Sequence, residues 1–534
     1  MHNLAKHISV KTTPQSRAIP GKNQVQNNAG GFVYSLDCWK RLQRFLILGS
    51  DGGTYYATEA KLTIDNAGVV AECAATDARR TVDMIVEISQ SGRAPKNDAA
   101  ILALAILAAN DNDAVRQLAL SAVSKVCRIG THIFQFTAAC RELRGFGRGL
   151  REAIAGWYND KPVADLAYQV TKYRNRAGYT HRDLLRLSHP NPVSEQRDDL
   201  YGWIVGKGKN WVEAPNVDDP LAYTYALDRI GELDPASFRD AIRLIEDYNL
   251  AFEHVPTCFL NNANVWDALL PNLKPTSLIR NLGKMTTVGL LKPLSKSTSY
   301  VCEVLNNAER IRKARVHPLS ILLALNTYQQ GHGLLGNLSW RPVPQITSAL
   351  ESAFYLAFDA VEPTNKRHFL AVDVSGSMGW SYLANTRLSA REASACMSLV
   401  TSKVEPNTYT LGFSDELTDL GITSHSNLND VLNTIKNLRM RRTDCALPMI
   451  YAKQNKLEVD AFIVYTDNET WFGSIHPSQA LDQYRQASGI DAKLIVAGMT
   501  ATGFTIADPN DTGMLDVVGF DAACPAIMAN FVRS

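Results

Sequence analysis

The segment Phe369-Leu-Ala-Val-Asp373 constrains the fold of this chain more than any other part of its sequence. A short apolar run of this kind is typical of a buried parallel strand, and here it ends at a carboxylate. Two hydroxyl side chains, Ser375 and Ser377, follow at alternate positions, with Gly376 between them to let the backbone turn. Because ligands of open α/β sheets bind outside the carboxyl ends of the strands, we expect these oxygens to meet there. One carboxylate with two neutral oxygens suits a hard divalent cation such as Mg²⁺.

Two later segments supply the rest of the predicted metal site. Thr443 stands in Arg-Arg-Thr-Asp-Cys, and Asp467 ends a second buried-strand pattern, Ala461–Asp467. An isolated Asp-x-Ser-x-Ser also fits a turn capped by hydroxyl groups, but three pieces in this order favour the metal site. The arrangement resembles the metal-ion-dependent adhesion site of von Willebrand factor type A domains. That resemblance implies a doubly wound, Rossmann-like α/β domain over residues 366–534, with the metal ligands Asp373, Ser375, Ser377, Thr443 and Asp467.

The residues before Thr443 depart from the usual pattern of such domains. Many type A domains have a glycine pair there, whereas this chain has Arg441 and Arg442. Two cations would weaken a Mg²⁺ site by repulsion unless they point to solvent or to a phosphate. No His or Glu stands beside these ligands in the sequence pattern to activate a water, so we expect an adhesive or structural site and no enzyme activity.

Composition narrows the classes of protein further. With 534 residues and 46% hydrophobic content, the chain has room for two or more domains. No apolar run approaches the roughly 20 residues of a membrane span, and the N-terminus lacks the apolar region of a secretory signal. The nine cysteines are scattered without a Cys-x-x-Cys pair, so we expect a cytoplasmic protein. Cys445 fits either a reactive thiol or a small buried hydrophobic residue, and the second is favoured.

Charge is unevenly distributed along the chain. The formal net charge is +2, but residues 1–370 carry +8 and residues 371–534 carry −6. Such asymmetry indicates a polyanion partner for the basic part. Because the charge difference is modest, we expect binding to depend on local basic patches and not on the net charge of the whole part.

The long first part is predicted to be helical. Residues 1–30 have the composition of a mobile basic tail, and residues 31–365 give successive helical patterns with few strand signals. One predicted helix begins at Pro162 and ends at Gly178; the next is capped by Thr180 and ends at His189. Helix pairs without strands favour an α-solenoid of HEAT-like repeats. A large helical bundle is the alternative, because no clean repeat period emerges.

Two basic stretches are candidate RNA contacts. In the first, Lys172 and Arg176 are predicted to share a helix face opposite an apolar stripe, with Arg174 and His189 nearby. The second, residues 271–320, carries nine Lys and Arg against two acidic residues, and includes Lys284, Arg312 and Arg315. A charge run is often only a solvated face, but cations at helix ends with few acids suit a phosphate backbone. Neither stretch has the aromatic pairs of an RNA-recognition motif.

Specific strings extend the resemblance to the whole chain. Residues 170–190 (VTKYRNRAGYTHRDLLRLSHP) look like the signature of the TROVE module, and the strings at 32–50, 443–449 and 466–470 match as well. Over about residues 30–534, the chain resembles the Ro ribonucleoprotein autoantigen family, with the length of its bacterial Ro-sixty-related form.

That resemblance implies a fold and a set of partners. Family members form a ring of HEAT-like repeats closed by the type A domain, bind Y RNA on the outer surface and take single-stranded ends of misfolded RNA into a basic hole. In bacteria, Y RNA is thought to tether the protein to polynucleotide phosphorylase for RNA degradation or ribosomal RNA maturation. Lys172 and His189 correspond to family residues implicated in RNA contact, and Arg174 and Arg176 lie in the same string. We therefore expect a monomeric protein within a ribonucleoprotein, with no membrane partner.

Two other functions are open at this point. A type A module can bind a protein ligand through its metal, with the helical part as a platform. Some subunits of ATP-driven metal chelatases also carry type A domains, but this chain has no Gly-x-x-x-x-Gly-Lys-Ser/Thr phosphate loop. An RNA of discrete size in the native complex distinguishes the RNA-binding function from both.

Overall fold

The computed structural model describes residues 12–50, 54, 57–207, 211, 213–333, 337–358, 361–383, 386, 388–438 and 441–534. They form two compact units. Residues 1–69, 93–96 and 358–534 belong to the first, which we call the sheet unit. Residues 70–92 and 97–357 belong to the second, the helical unit. Within the described ranges, no helix has both the length and the hydrophobicity needed to cross a membrane.

Strands are concentrated in the sheet unit, and helices occur throughout the chain. The strands are β1 (Gln24–Gln26), β2 (Phe32–Ser35), β3 (Asn175–Arg176), β4 (Tyr179–Thr180), β5 (Arg367–Asp373), β6 (Asn407–Phe413), β7 (Leu417–Asp419), β8 (Ala461–Thr466), β9 (Lys493–Gly498), β10 (Phe504–Thr505) and β11 (Met514–Val518). The first helices are α1 (Cys38–Leu48), α2 (Glu59–Ser91), α3 (Asp98–Ala108), α4 (Asp113–Ser121), α5 (Val123–Val126), α6 (Gly130–Leu143), α7 (Arg148–Asp160), α8 (Val163–Lys172), α9 (His181–Ser188), α10 (Glu195–Ile204), α11 (Ala222–Glu232) and α12 (Phe238–Asp247). The remaining helices are α13 (Ala263–Leu269), α14 (Pro275–Thr287), α15 (Lys296–Leu305), α16 (Ala308–Lys313), α17 (Pro318–Gln329), α18 (Pro344–Leu356), α19 (Gly376–Trp380), α20 (Ala390–Val404), α21 (Leu428–Lys436), α22 (Leu447–Gln454), α23 (Pro477–Ser488) and α24 (Cys524–Arg533).

The sheet unit is built on a six-stranded mixed sheet in the order β11-β9-β8-β5-β6-β7. Its strands are parallel except for the edge pair β6 and β7. Because successive side chains point to opposite faces, the nearly continuous apolar residues of β5 and β8 bury both faces of the sheet. Phe369 and Phe462 pack with α22 and α23 on one face, and the Tyr465 hydroxyl lies 3.2 Å from Thr401 of α20 on the other. Helices therefore cover both faces, as predicted for the C-terminal domain.

The N-terminal segment corrects the prediction of a mobile tail over residues 1–30. Residues 12–30 pack against the rest of the sheet unit, to which they belong. Residues 1–11 lie outside the described residues. Strand β2 pairs with β1 and with β10, so a second, three-stranded sheet joins the two ends of the sequence. The polar side chains that made this segment look like a tail instead bond to buried backbone groups, which a composition argument does not reveal.

The helical unit consists mainly of short helices joined by tight turns. Helix α2, whose residues from Val70 onwards belong to the helical unit, is interrupted at Asp77, where φ is −157° and ψ is 98°. Large aromatic side chains fill the interior of the helical unit, including Trp157, Trp266 and Phe134, all under 2% exposed. Burial of such side chains supplies most of the stability of short helices that are marginal alone.

The helix predicted to run from Pro162 to Gly178 ends earlier. Helix α8 stops at Lys172, and a two-stranded hairpin of β3 and β4 follows. Ala177 (φ 51°) and Gly178 (φ 78°) are both left-handed, as the central residues of a type I′ hairpin turn must be. Lys172 and Arg176 therefore do not share a helix face. The next helix agrees with its prediction, since Thr180 and Asp183 form a capping box and His189 is the C-cap.

Candidate metal site and nucleic-acid interface

The predicted metal ligands meet at the carboxyl ends of two neighbouring strands. Asp373 is the last residue of β5, and Asp467 follows the parallel strand β8. The Asp373 carboxylate accepts a hydrogen bond from Thr466 Oγ1 at 2.7 Å and one from the Ser375 amide at 2.9 Å. The Ser375 and Ser377 hydroxyl oxygens lie 3.2 Å apart. The sheet topology thus places side chains far apart in sequence at one edge, as the pattern predicted.

The site brings two buried carboxylates close together. Both carboxylates are at most 1% exposed. Burial, followed by the charge of Asp467, raises the pKa of Asp373 to about 7, and burial raises the pKa of Asp467 as well. Asp467 Oδ2 is buried and accepts no hydrogen bond from any described group. An orphaned carboxylate oxygen beside a second carboxylate and two hydroxyls fits a divalent cation, which would neutralise both charges.

Thr443 lies in the same buried region. It is 1% exposed, and its carbonyl accepts from the amides of Trp471 and Phe472 at 3.3 and 3.2 Å. Cys445, two residues on, is fully buried with its sulfur 3.7 Å from Thr466 Oγ1. Burial raises the pKa of this thiol well above its usual value, so it is the buried hydrophobic residue favoured by the sequence and not a reactive thiol.

The two arginines before Thr443 contact carboxylates and aromatic rings. Arg441 pairs with Glu416 at 2.8 Å and lies 3.6 Å from Asp415. The Arg442 guanidinium lies over the ring of Phe472 at 4.8 Å and over that of Trp471 at 5.6 Å. Carboxylates and ring faces therefore hold these cations, which removes the repulsion expected from the sequence.

N-terminal residues hold the loop after Asp467 as a strap, which was not predicted from the sequence. Asn27 Nδ2 donates to the carbonyls of Asn468 and Thr470 at 3.1 and 2.8 Å. A Cβ on Gly31 would lie 1.9 Å from the Thr470 carbonyl oxygen, so only glycine fits this approach.

Two further contacts extend the strap. Gln15 donates to Asp444 at 2.7 Å and to the Ile475 carbonyl at 2.8 Å, and it accepts from the Thr470 hydroxyl. Glu469 accepts from Asn28 Nδ2 at 2.7 Å and from the Ala29 amide at 3.0 Å. Burial raises the pKa of Glu469 to about 8, with the charge of Asp467 adding to the effect. Polar residues spaced along a basic segment are the only sequence signal, and it is too weak to distinguish a strap from a tail.

The first group of candidate RNA residues surrounds the β3–β4 hairpin and α9. Arg174 and Arg176 are exposed at the hairpin, and Arg182 and Arg186 are exposed on α9. His189 ends α9 in the left-handed conformation, with φ at 48°. Among the described residues, none of these four arginines forms an ion pair with a carboxylate, whereas the exposed arginines Arg148 and Arg243 each pair with an acid on their own helix. They form a cationic surface on rigid elements.

Lys172 differs from its neighbours. Its side chain is only 6% exposed, and its ammonium group lies 3.6 Å from Glu253 and donates to the Tyr168 hydroxyl at 3.0 Å. The ammonium also lies over the rings of Tyr168 and Tyr173, at 5.2 and 5.4 Å. Lys172 therefore fixes the end of α8 beneath the cationic surface, and is not itself free to grip a phosphate in this structure.

The second group lies on other helices. Lys284, on α14, donates to Asn261 at 2.6 Å, while Arg312 and Arg315 are exposed at the end of α16. Arg315 has a positive φ of 51°, and a Cβ on Gly92 would lie 3.0 Å from its own Cβ. Arg128, which sequence reasoning missed, joins this group: burial, followed by the charge of Arg315, lowers its pKa. Helix α16 packs with α15 and α18, whereas α9 packs with α7 and α10, so the two groups occupy different parts of the helical unit.

Comparison with known proteins accounts for both parts of the chain. Residues 25–211 and 248–330 match the TROVE domain, and residues 367–532 match the Ro60 vWA domain. The chain belongs to the Ro60 family. The "RNA-binding protein RO60" of Deinococcus radiodurans is 40% identical over all of this chain and 99% of its own length. That of Caenorhabditis elegans is 37% identical, covering 98% of this chain and 92% of its own length.

A solved structure of the Ro60 family agrees with the fold. The crystal structure of the Deinococcus radiodurans RO (RSR) protein aligns with a TM-score of 0.69 at 40% identity, covering 93% of this chain and 99% of that one. The family predicted from the sequence strings is thus confirmed, as is a helix-rich Ro60 protein with a C-terminal mixed sheet.

Proposed function

We propose that this Ro60-family protein is a non-enzymatic scaffold that binds Y RNA on an outer surface of a ring of HEAT-like repeats. In this proposal it also takes single-stranded ends of misfolded or structured noncoding RNAs into a central hole. It acts in RNA quality control, degradation or ribosomal RNA maturation together with an exoribonuclease such as polynucleotide phosphorylase. Relatives that are named RNA-binding proteins support the RNA part of the proposal.

The observation that carries the proposal is the set of exposed arginines around the β3–β4 hairpin and α9. Exposed arginines clustered without carboxylate partners repel one another, and a bound anion relieves that repulsion. Here Arg174, Arg176, Arg182 and Arg186 stand within one short segment, and the type I′ turn and the capping box hold their backbone. A guanidinium presents a planar fork of donors that matches a phosphate group. A phosphate backbone is the polyanion that such a row fits.

Isolation of the native complex tests this proposal. The full-length protein is crosslinked in cells, purified, and its RNA sequenced, in parallel with a variant carrying Arg174→Gln, Arg176→Gln, Arg182→Gln and Arg186→Gln. The matched control changes two arginines that are paired on their own helices, Arg148→Gln and Arg243→Gln. We expect a small RNA of discrete size with the wild type and the control, and its loss from the variant. The absence of a discrete RNA from the wild-type complex would remove the proposal.

We also propose that the sheet unit binds Mg²⁺ or a similar divalent cation through Asp373, Ser375, Ser377, Thr443 and Asp467. The orphaned Asp467 oxygen and the raised pKa of Asp373 support this. A bound cation would supply positive charge to neutralise the two carboxylates. Hydrogen bonds from Thr466 and from the Ser375 amide hold the Asp373 carboxylate in place, and the Glu469 amide donates to the Asp467 carboxylate.

The alternative is a metal-dependent module that binds a protein ligand. Two large exposed side chains favour it: Trp380 (57% exposed) closes α19 just after Ser377, and Phe472 (42% exposed) follows the Asp467 loop. Exposed aromatic residues are enriched in protein interfaces. A protein that co-purifies only with Mg²⁺ present, in a complex without RNA, would favour this function.

The setting proposed for the protein is the cytoplasm, as a single copy within the ribonucleoprotein. All nine cysteines are free thiols, and six of them are buried. Free thiols are the normal state in a reducing compartment.

A further inference from the structure

A depression of about 730 Å³ lies between α9 and α10 in the helical unit. All of its lining residues come from the segment 185–207, which runs from the end of α9 through a Pro-Asn-Pro loop into α10. Volumes of this order are typical of sites that enclose a small organic group. The depression is therefore large enough for one nucleotide with room to spare.

Fixed contacts shape this depression before any ligand arrives. The Asn159 amide links its two sides: it donates to the Asn191 carbonyl at 3.0 Å, and it accepts from the Tyr201 hydroxyl at 2.8 Å. Arg197, which is 4% exposed, ties α10 to the carbonyls of Tyr158 and Lys161. Such contacts lower the entropic cost of binding, since the walls need not be ordered by the ligand.

The lining combines an aromatic wall with cations. Trp203 and Tyr201 line it from α10, and the Trp203 indole is anchored through Nε1, which donates to Asp228 at 2.9 Å. Arg186, His189 and Lys207 line it as well. Two carboxylates, Asp198 and Asp199, supply acceptors. A nucleotide offers the complement of each: a π face for the rings, a phosphate for the cations and base-edge donors for the carboxylates.

We infer that this depression receives a single unpaired nucleotide of the bound RNA, with its base against Trp203 and its phosphate towards Arg186 and Lys207. The inference rests on the proposed RNA-binding function and deepens it. The arginines of the hairpin and α9 bind the backbone without regard to sequence, whereas the depression distinguishes RNA with an unpaired base from a continuous duplex. Stacking on an aromatic ring contributes about tenfold or more in affinity per base.

The test compares three short RNA hairpins that differ at one position: a single unpaired adenosine, an abasic nucleotide in its place, or no extra nucleotide. Dissociation constants are measured at one salt concentration for the full-length protein and for Trp203→Leu, Trp203→Phe and Arg186→Gln. We expect the wild type to bind the adenosine hairpin about tenfold more tightly than the abasic one. Trp203→Leu removes that ratio and leaves the affinity for the abasic hairpin within about twofold, while Trp203→Phe retains most of the ratio. Arg186→Gln weakens all three.

A second measurement guards against a misfolded Trp203 variant. With 2-aminopurine replacing the adenosine, wild-type binding quenches its fluorescence by stacking, and the quenching is absent with Trp203→Leu. Equal affinity of the wild type for the adenosine and abasic hairpins, or an equal loss for both in Trp203→Leu, overturns the inference while RNA binding stands. Failure of the wild type to bind any hairpin overturns the proposed function as well.

Discussion

The two units of the molecule differ in the carboxyl groups that they bury. The sheet unit buries carboxyl groups beside one another, and burial raises the pKa of Asp373 to about 7 and that of Glu469 to about 8. The helical unit buries histidines, and burial lowers the pKa of His132, His181 and His254 to about 3. Among the described residues, buried carboxyl groups occur in the sheet unit and not in the helical unit. The comparison agrees with the proposed cation in the sheet unit, whereas the exposed arginines of the helical unit face solvent, where an external anion can reach them.

Buried arginines show the same contrast. Arg44 in the sheet unit is 1% exposed, pairs with Asp516 and donates to the carbonyls of Thr502 and Phe504. Arg197 in the helical unit is 4% exposed and bonds to backbone carbonyls, with no carboxylate partner among the described residues. Removal of Arg44 leaves a buried charge without its partner, whereas removal of Arg197 leaves only neutral acceptors.

The largest expected effect is that of Arg44→Met on the sheet unit. We expect the free energy of unfolding to fall by about 3–5 kcal/mol, because Asp516 is left buried and unpaired. Arg197→Met is the matched variant, with an expected loss of about 1–3 kcal/mol from unsatisfied carbonyls. Urea unfolding monitored by hydrogen exchange of each unit measures both. Equal losses would show that the buried ion pair makes no special contribution.

Mg²⁺ should stabilise the sheet unit and not the helical unit. At a concentration 100 times the dissociation constant, the free energy of unfolding rises by about 2.7 kcal/mol, since only the folded state binds the ion. Asp373→Ala should abolish this increase and leave RNA affinity unchanged. Thermal unfolding with Mg²⁺ and with a chelator provides the measurement. An increase that survives Asp373→Ala would place the ion elsewhere.

Acid should destabilise the helical unit through His181. Its Nε2 donates to the Tyr173 carbonyl at 2.8 Å, so Nδ1 must accept from the Tyr158 hydroxyl at 2.7 Å, and the ring is neutral. Burial lowers the pKa of His181 from 6.5 to about 3, so the unfolded chain takes up more protons below pH 6.5. The His181 contribution to the free energy of unfolding is therefore complete above pH 6.5 and is lost as the pH falls towards 3. The expected loss is about 1–3 kcal/mol, because the protonated ring turns a second buried N–H donor towards the Tyr158 hydroxyl.

Fluorescence of Trp157, whose ring stacks on His181 at 6.2 Å, reports this acid transition. The His181→Gln variant lacks the titrating group, and should be less stable at neutral pH but lose less stability on acidification. An unchanged pH dependence in that variant would exclude His181 as the cause.

The smallest effect concerns Lys172, which the resemblance implicates in RNA contact together with His189. Lys172→Met should lower RNA affinity by only about 0.5–1.5 kcal/mol, because the loss acts through Tyr168, Tyr173 and Glu253. The salt dependence of binding should not change, since no phosphate contact is removed. The double change with Glu253→Gln should recover part of the affinity by removing the carboxylate left unpaired. A reduced salt dependence in Lys172→Met would show instead that its ammonium group binds phosphate.

Local sequence patterns predict some parts of the fold and of the candidate sites, and they do not predict others. The ends of β5 and β8 were predictable because apolar runs followed by Asp373 and Asp467 define buried parallel strands. The end of α8 was missed because Ala177 gives no warning of a left-handed turn, and Arg176 therefore lies on a hairpin. The burial of Lys172 and the strap at Gln15 and Asn27 depend on partners tens to hundreds of residues away, which no local pattern encodes. In the first part of the chain, periodicity predicted only helices, and the family resemblance was needed to identify the domain.

The central claim is that RNA is held by phosphate contacts of the helical unit, independently of the cation proposed for the sheet unit. Its most direct test is the dependence of RNA affinity on salt concentration for the wild type, the four-arginine variant and Asp373→Ala. Loss of Arg174, Arg176, Arg182 and Arg186 should reduce the slope of log affinity against log salt by about 3, at about 0.7–0.9 per phosphate contact. Asp373→Ala should match the wild type with or without a chelator. An unchanged slope in the four-arginine variant, or a loss of RNA binding in Asp373→Ala, would contradict the account.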